Sequence, residues 1–309
     1  MIIHHSADAA QIGPCMATIG IFDGVHLGHA TLVGALCEQA HERGLKAVVF
    51  TFAHHPRMVL SHDPRFKMLQ PLDDRLNCLE ALGTDAIVVM PFTPELSLLD
   101  SRAFMTLLRD TYGMQALMVG YNHHFGHNRD EGFAQYVEHG HDLGIDVVKA
   151  PEYLGEYAPV SSSIIRGLIN AGKVVDAMHC MGRPYRLEGR VVHGFHNGRG
   201  IGFPTANVGD IDPNLILPHT GAYAVMVDVA GQRLQGMVNI GHRPTFDNGR
   251  QLSIEVNIFD FDDDIYGQDI ALDFMGFLRL EFKMVSIDEL RQQLTRDREK
   301  ARKLLSLHN

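Results

Sequence analysis

Between Cys15 and Pro151 the chain alternates short apolar runs with amphipathic stretches. CMATIGIF (Cys15–Phe22), LKAVVFTF (Leu45–Phe52), DAIVVMPF (Asp85–Phe92), ALMVGY (Ala116–Tyr121) and IDVVKAP (Ile145–Pro151) are almost continuously apolar. That is the pattern of strands buried on both faces. Helical periodicity fills the gaps between them. In ATLVGALCEQAHERG, Leu32, Val33, Leu36, Cys37 and Ala40 share one face, and Gly44 ends the run. DDRLNCLEALG stops at Gly83, and SRAFMTLLRDTYG at Gly113. Strands alternating with helices predict a parallel sheet covered on both sides, a Rossmann-like α/β domain.

The texture changes after VSSSIIRGLINAGKVVDAMHCMGRPY, an isoleucine-rich helix ending at Gly182-Arg183-Pro184. We place a boundary there, giving domains 1–182 and 183–309. Beyond it come YRLEGRVVHG, AYAVMVDVAG, RLQGMVNIG, LSIEVNIFDF and DIALDFMGFLRLEF, short alternating segments separated by Gly, Asn and Asp turns. They predict a small all-β barrel or sandwich. A helix closes the chain: Ser286 and Glu289 form a capping box, with Ile287, Leu290 and Leu294 as the apolar stripe.

Length and charge narrow the functional classes. The 309 residues suffice for two ordinary domains. A net charge of -10 disfavours a nucleic-acid surface, but a mononucleotide needs only a few local donors and a cation. The four cysteines show no CxxC spacing, which suggests buried free thiols in a reducing compartment. MIIHHSADAAQ has neither a basic nor a continuous apolar region, so no signal peptide is expected. No apolar run is long enough to predict a membrane span. These features predict a cytoplasmic protein, with no membrane, nucleic-acid or protein partner expected.

GIFDGVHLGH sets Gly20, Phe22, Gly24 and Gly28 where a strand becomes a helix. Glycines let backbone approach an anion, and the helix start offers unpaired N–H groups. His26 and His29, three apart, share a face and can stabilise charge on a departing pyrophosphate. Two plainer readings compete: a tight turn and nothing more, or a zinc pair, for which no nearby residues complete the ligands. The segment resembles the HxGH signature of nucleotidylyltransferases. Such a site needs a second phosphate contact, and VSSSIIR supplies candidates in Ser162 and Arg166. A serine at a helix start is ordinarily a cap. An arginine in the first turns opposes the helix dipole and is better explained by an anionic ligand.

A second loop, VVHGFHNGRGIGFPTANV, contains five glycines or prolines and a Pro-Thr-Ala-Asn segment. With it the chain resembles the bifunctional bacterial riboflavin kinase/FMN adenylyltransferases, also called FAD synthetases, over nearly its whole length. GIFDGVHLGH, TFAHHPRMVL, VGYNHHFG, SSSIIR, the loop itself, GMVNIGHRPTF, IEVNIFDFDDDIYG and FLRLEFKMVSIDEL carry the resemblance, in the family's order. It implies a nucleotidylyltransferase domain that joins FMN to AMP from ATP, then a barrel that phosphorylates riboflavin. It further implies that Thr205 and Asn207 bind Mg²⁺ and nucleotide phosphate, that Gly202 lets the loop close, and that Glu255 is the catalytic base. Alternation alone makes Glu255 a solvated strand residue. Arg199 and Arg243 stay outside the candidate site.

Several positions depart from the family. Asn122 and His124 stand where aspartate and arginine are frequent, Asn122 remaining a hydrogen-bonding candidate for ATP. The serine run Ser161–Ser163 leads directly into Ile164-Ile165-Arg166, and Ala53-His54 replaces an acidic residue and proline. They frame one alternative, a riboflavin kinase with a weak or inactive adenylyltransferase domain. Another is a non-catalytic flavin-binding protein. Retention of His26 and His29 opposes the first, and of Thr205, Asn207 and Glu255 the second.

Overall fold

The computed structural model describes residues 2–5, 12–61, 63, 65–121, 125–127, 131–193, 202–244, 250–281 and 286–307. Asn122, His124 and the loop glycines ahead of Gly202 lie outside the described residues. The chain divides into two units, Met1–Ser162 and Ser163–Asn309.

In the first unit six parallel strands form one sheet in the order β1-β4-β3-β2-β5-β6. They are β1 (Ile2–His5), β2 (Cys15–Ile19), β3 (Lys46–Phe52), β4 (Ala86–Met90), β5 (Met114–Val119) and β6 (Asp146–Lys149). Helices α1 (Leu27–Glu42) and α3 (Leu72–Ala81) pack on one face. On the other lie α5 (Ser101–Tyr112) and α6 (Phe133–Leu143). α1 buries Leu32, Val33, Leu36, Cys37 and Ala40, the predicted face.

Elements with weak periodicity escaped the sequence reading. Only Tyr136 and Gly140 of α6 are buried, so its apolar stripe is too sparse to read. The short helices α2 (Pro56–Leu60) and α4 (Pro94–Ser97) bury none of their residues, and β1 is a four-residue strand. β2 was expected to reach Phe22 but ends at Ile19. Phe22 has φ +53°, a left-handed conformation that no strand residue adopts. Cys15 is wholly buried and burial pushes its thiol up to about 12, which leaves it a packing residue.

The second unit opens with most of α7 (Ser162–Asn170), then α8 (Val174–Met181). The expected single helix is broken at Gly172, φ +72°. A closed barrel follows, in the order β10-β11-β8-β7-β12-β9. Its strands are β7 (Tyr185–Val192), β8 (Ala206–Gly209), β9 (Gly221–Val229), β10 (Gln232–Pro244), β11 (Arg250–Ile258) and β12 (Asp269–Arg279). Alternate residues such as Leu187, Tyr223, Val225, Val238, Ile254 and Phe274 are buried inside it.

α9 (Ile287–Leu305) starts at Ser286, whose side chain accepts from the Glu289 N–H. The predicted stripe is shifted: Ile287 is 64% exposed, and the buried positions are Asp297, Ala301 and Leu305. The apolar contact with the barrel's outer face begins only near Leu294. Asp297 takes a core position because Arg279 Nε meets its carboxylate at 2.7 Å and Gln293 Nε2 at 2.8 Å.

Candidate active sites

Strand order reverses beside β2: β3 lies on one side and β5 on the other. In open α/β sheets, ligands bind in the crevice at the carboxyl end of the strands at such a point. The turn from β2 into α1 stands there. Three of its residues, Phe22 (φ +53°), Gly24 (φ +83°) and Val25 (φ +31°), are left-handed. For Phe22 and the β-branched Val25 that costs roughly 1–3 kcal/mol each. At Gly24 only glycine fits, since a Cβ would lie 2.7 Å from Leu69 Cδ1.

His26 caps α1: its Nδ1 accepts the His29 N–H at 3.2 Å. In the neutral ring the proton is therefore on Nε2, the ring's donor nitrogen. The two imidazoles stack at 3.7 Å with planes 15° apart, and Phe22 meets His29 edge-on at 5.1 Å. Stacking rules out the zinc pair. A metal lies in the plane of each imidazole at about 2.0–2.1 Å, and nearly parallel planes this far apart do not converge there. A Cβ on Gly28 would lie 3.2 Å from His26 Cε1 and Nδ1, so a larger residue there would press on the His26 ring.

Two residues outside the predicted site hold the turn. Asp23, 2% exposed, accepts the Leu69 N–H with its carboxylate at 3.0 and 3.1 Å. Arg75, with no exposed surface, donates to the carbonyls of Ile21 (2.8 Å) and Phe52 (2.7 Å), tying the turn after β2 to the end of β3. Burial lowers the guanidinium pKa and the Asp23 carboxylate opposes the shift. The signal was present in the sequence. Leu72, Arg75, Leu76 and Leu79 follow helical spacing, so an arginine sits in the apolar stripe. Arg75→Met leaves those buried carbonyls without their donor. A loss of roughly 2–4 kcal/mol is expected, measured as a lower denaturation midpoint of the first unit.

A cleft of about 1050 Å³ opens from Gly20 and Ile21. Phe52, Phe92, Phe104 and Phe125 give it aromatic walls, and His55, Arg57 and His127 line it as well. Tyr136, fully buried, fixes Phe125 by accepting its N–H at 3.1 Å. Ser162 donates its hydroxyl to the Asp23 carbonyl at 2.8 Å, so this predicted phosphate ligand pins the turn in the structure. Arg166 lies one helical turn on, half-buried on the same face of α7.

In the second unit β11 sets Glu255 between two asparagines. It pairs with Asn207 of β8 on one side and Asn239 of β10 on the other. Directly opposed residues project to the same face, so the three side chains form a row on the barrel's outside. The ladder thus brings Glu255 and Asn207 together. Asn239 was missed, although it shares the alternation of its strand. Near it, a Cβ on Gly241 would lie 2.5 Å from Glu281 Oε1 and 3.0 Å from Asn239 Nδ2. Thr205 is half-buried and lines a cleft of about 80 Å³ with Asp262, Asp264 and Tyr266. Gly202, with φ +80° and open space around it, permits the turn into Phe203.

Known proteins match both units. A family model for FAD synthetase matches residues 8–164, and one for riboflavin kinase matches residues 181–305. A bifunctional riboflavin kinase/FMN adenylyltransferase of Bacillus subtilis is 36% identical, covering 96% of this chain and 94% of that one. Its counterpart in Escherichia coli K12 is 34% identical, covering 99% and 97%. A crystal structure described as a macrolide-efflux protein from Streptococcus pneumoniae superposes with a TM-score of 0.89 at 29% identity, covering 98% of this chain and 99% of that one. Among the described residues no helix is long and apolar enough to cross a membrane. With both halves matched in order and whole-length relatives above 30% identity, the chain belongs to the bifunctional riboflavin kinase/FMN adenylyltransferase family.

Proposed function

We infer that this chain makes both flavin nucleotides: the barrel phosphorylates riboflavin to FMN with ATP, and the α/β unit adenylylates FMN to FAD, releasing pyrophosphate. The observation that carries this reading is the Glu255–Asn207 pairing across the barrel ladder, in a chain that also holds the stacked His26–His29 pair at the switch point. A binding protein has no use for a base set against a phosphate-loop asparagine.

In the α/β unit the aromatic cleft suits the flat apolar isoalloxazine ring, with His55 and Arg57 near the flavin phosphate. A phosphate oxygen of FMN attacks the α-phosphorus of ATP, the bond to the bridging oxygen breaks, and pyrophosphate leaves. The α1 N-terminus, His26 and His29 stabilise the charge passing through that centre. Asn122 and Arg166 are assigned to ATP on the family pattern.

In the barrel the riboflavin 5′-hydroxyl attacks the γ-phosphorus and ADP leaves. Glu255 orients the hydroxyl and takes its proton as transfer completes. Thr205 and Asn207 offer oxygen donors and would hold Mg²⁺, which would neutralise phosphate charge there. Among the described residues no cluster of three or more His, Cys, Asp or Glu forms a cage of its own. The ATP-dependent reactions and the four free cysteines fit a cytoplasmic enzyme.

Asn207→Ala tests the division of labour: FAD should still form from supplied FMN, while FMN formation from riboflavin falls by at least about tenfold. Chelating Mg²⁺ should stop both reactions. Kinase turnover surviving complete chelation would contradict the role given to Thr205 and Asn207.

A further inference from the structure

We propose that Asn257 is a positioning residue of the kinase, holding the Pro204–Thr205 peptide in place against the strand that carries Glu255. The proposal rests on the kinase reading above. Asn257 stands two residues beyond Glu255 on β11 and so projects to the same face. It is only 7% exposed, and its Nδ2 donates to the Pro204 carbonyl at 2.7 Å. That carbonyl belongs to the peptide bond entering Thr205.

Ordinary ladder bonding does not reach this point. β8 begins at Ala206, and Pro204 has no N–H to donate. The Asn257 amide fills the gap left at the end of the strand. The result is two fixed points between the same pair of segments: Asn257 on Pro204, and Glu255 in register with Asn207. Thr205 and Ala206 lie between them. Upstream, Phe203 is 4% exposed in the α9 contact, with the Arg298 guanidinium 5.0 Å above its ring. The backbone before Thr205 is thus held by packing on one side and by one amide on the other.

Phosphoryl transfer depends chiefly on positioning, and a displacement of about 1 Å can cost 10²-fold in rate. Asn257→Asp is nearly isosteric but turns the donor into a carboxylate facing a carbonyl. In full-length protein without metal or nucleotide, amide exchange at Thr205–Val208 should rise about tenfold. Exchange at Val225 and Val227, in the barrel interior, should stay as in wild type. Riboflavin phosphorylation should fall by about 10², while the same protein still makes FAD from supplied FMN. Loop exchange and kinase rate both within twofold of wild type would overturn the proposal. So would exchange rising throughout the barrel, since the amide would then hold the fold rather than the loop. If the aspartate variant loses its cooperative melt, Asn257→Ala, which buries no charge, is judged by the same two readouts. A wild-type chain that fails to phosphorylate riboflavin would instead remove the kinase reading itself.

Discussion

His29→Ala is expected to lower FAD formation from supplied FMN by about 10²–10³-fold, the usual loss for one preorganised donor to a developing anion. FMN formation from riboflavin should not change. His29 belongs to the first turn of α1 in the first unit, with His26 stacked at 3.7 Å and Phe22 edge-on at 5.1 Å. The kinase in the same polypeptide is therefore an internal control for protein quality. Phe22 has φ +53°, and losing the ring it packs against relaxes that residue, so FMN affinity is measured alongside turnover. A fall in kcat with FMN binding retained supports a role for His29 in transfer. Unchanged FAD synthesis would show that the turn handles no phosphate.

Glu255→Gln should lower single-turnover phosphorylation of riboflavin by roughly 10²-fold or more, the lower range for loss of a general base. A primary hydroxyl is far too weak an acid to ionise at neutral pH and needs an acceptor as the phosphoryl group arrives. Glutamine keeps the shape and a hydrogen bond but cannot take the proton. The ladder sharpens the expectation, because Glu255 faces Asn207 and Asn239 directly, so the amide has partners on both sides. Folding and flavin affinity should therefore survive. A rate within a few-fold of wild type would return Glu255 to an ordinary half-exposed strand position.

Where side-chain periodicity is strong, the sequence announced the structure. The buried face of α1 was readable residue by residue, as was the alternation that places Ile254, Val256 and Ile258 inside the barrel and Glu255 outside. Hydrophobic patterning failed where polar groups do the holding. Arg75 and Asp297 occupy core positions because specific partners satisfy them; an arginine in an apolar stripe marks a buried cation, but partners distant in sequence cannot be named from it. That is also why the apolar stripe of α9 begins about two turns later than the pattern predicts. Left-handed Phe22 and Val25 were invisible for another reason: neither residue type favours that conformation, which tertiary contacts impose. Asn239 and Asn257 carried the same alternation as Glu255, but only strand register reveals which polar residues stand opposite one another.

One chain is expected to perform two successive transfers at separate sites. The most direct measurement incubates purified protein with riboflavin, ATP and Mg²⁺ and separates the flavins chromatographically over time. FMN should appear first and FAD after it, with pyrophosphate released in step with FAD. FMN accumulating with no FAD would contradict the adenylyltransferase assignment, and unchanged riboflavin would contradict the kinase.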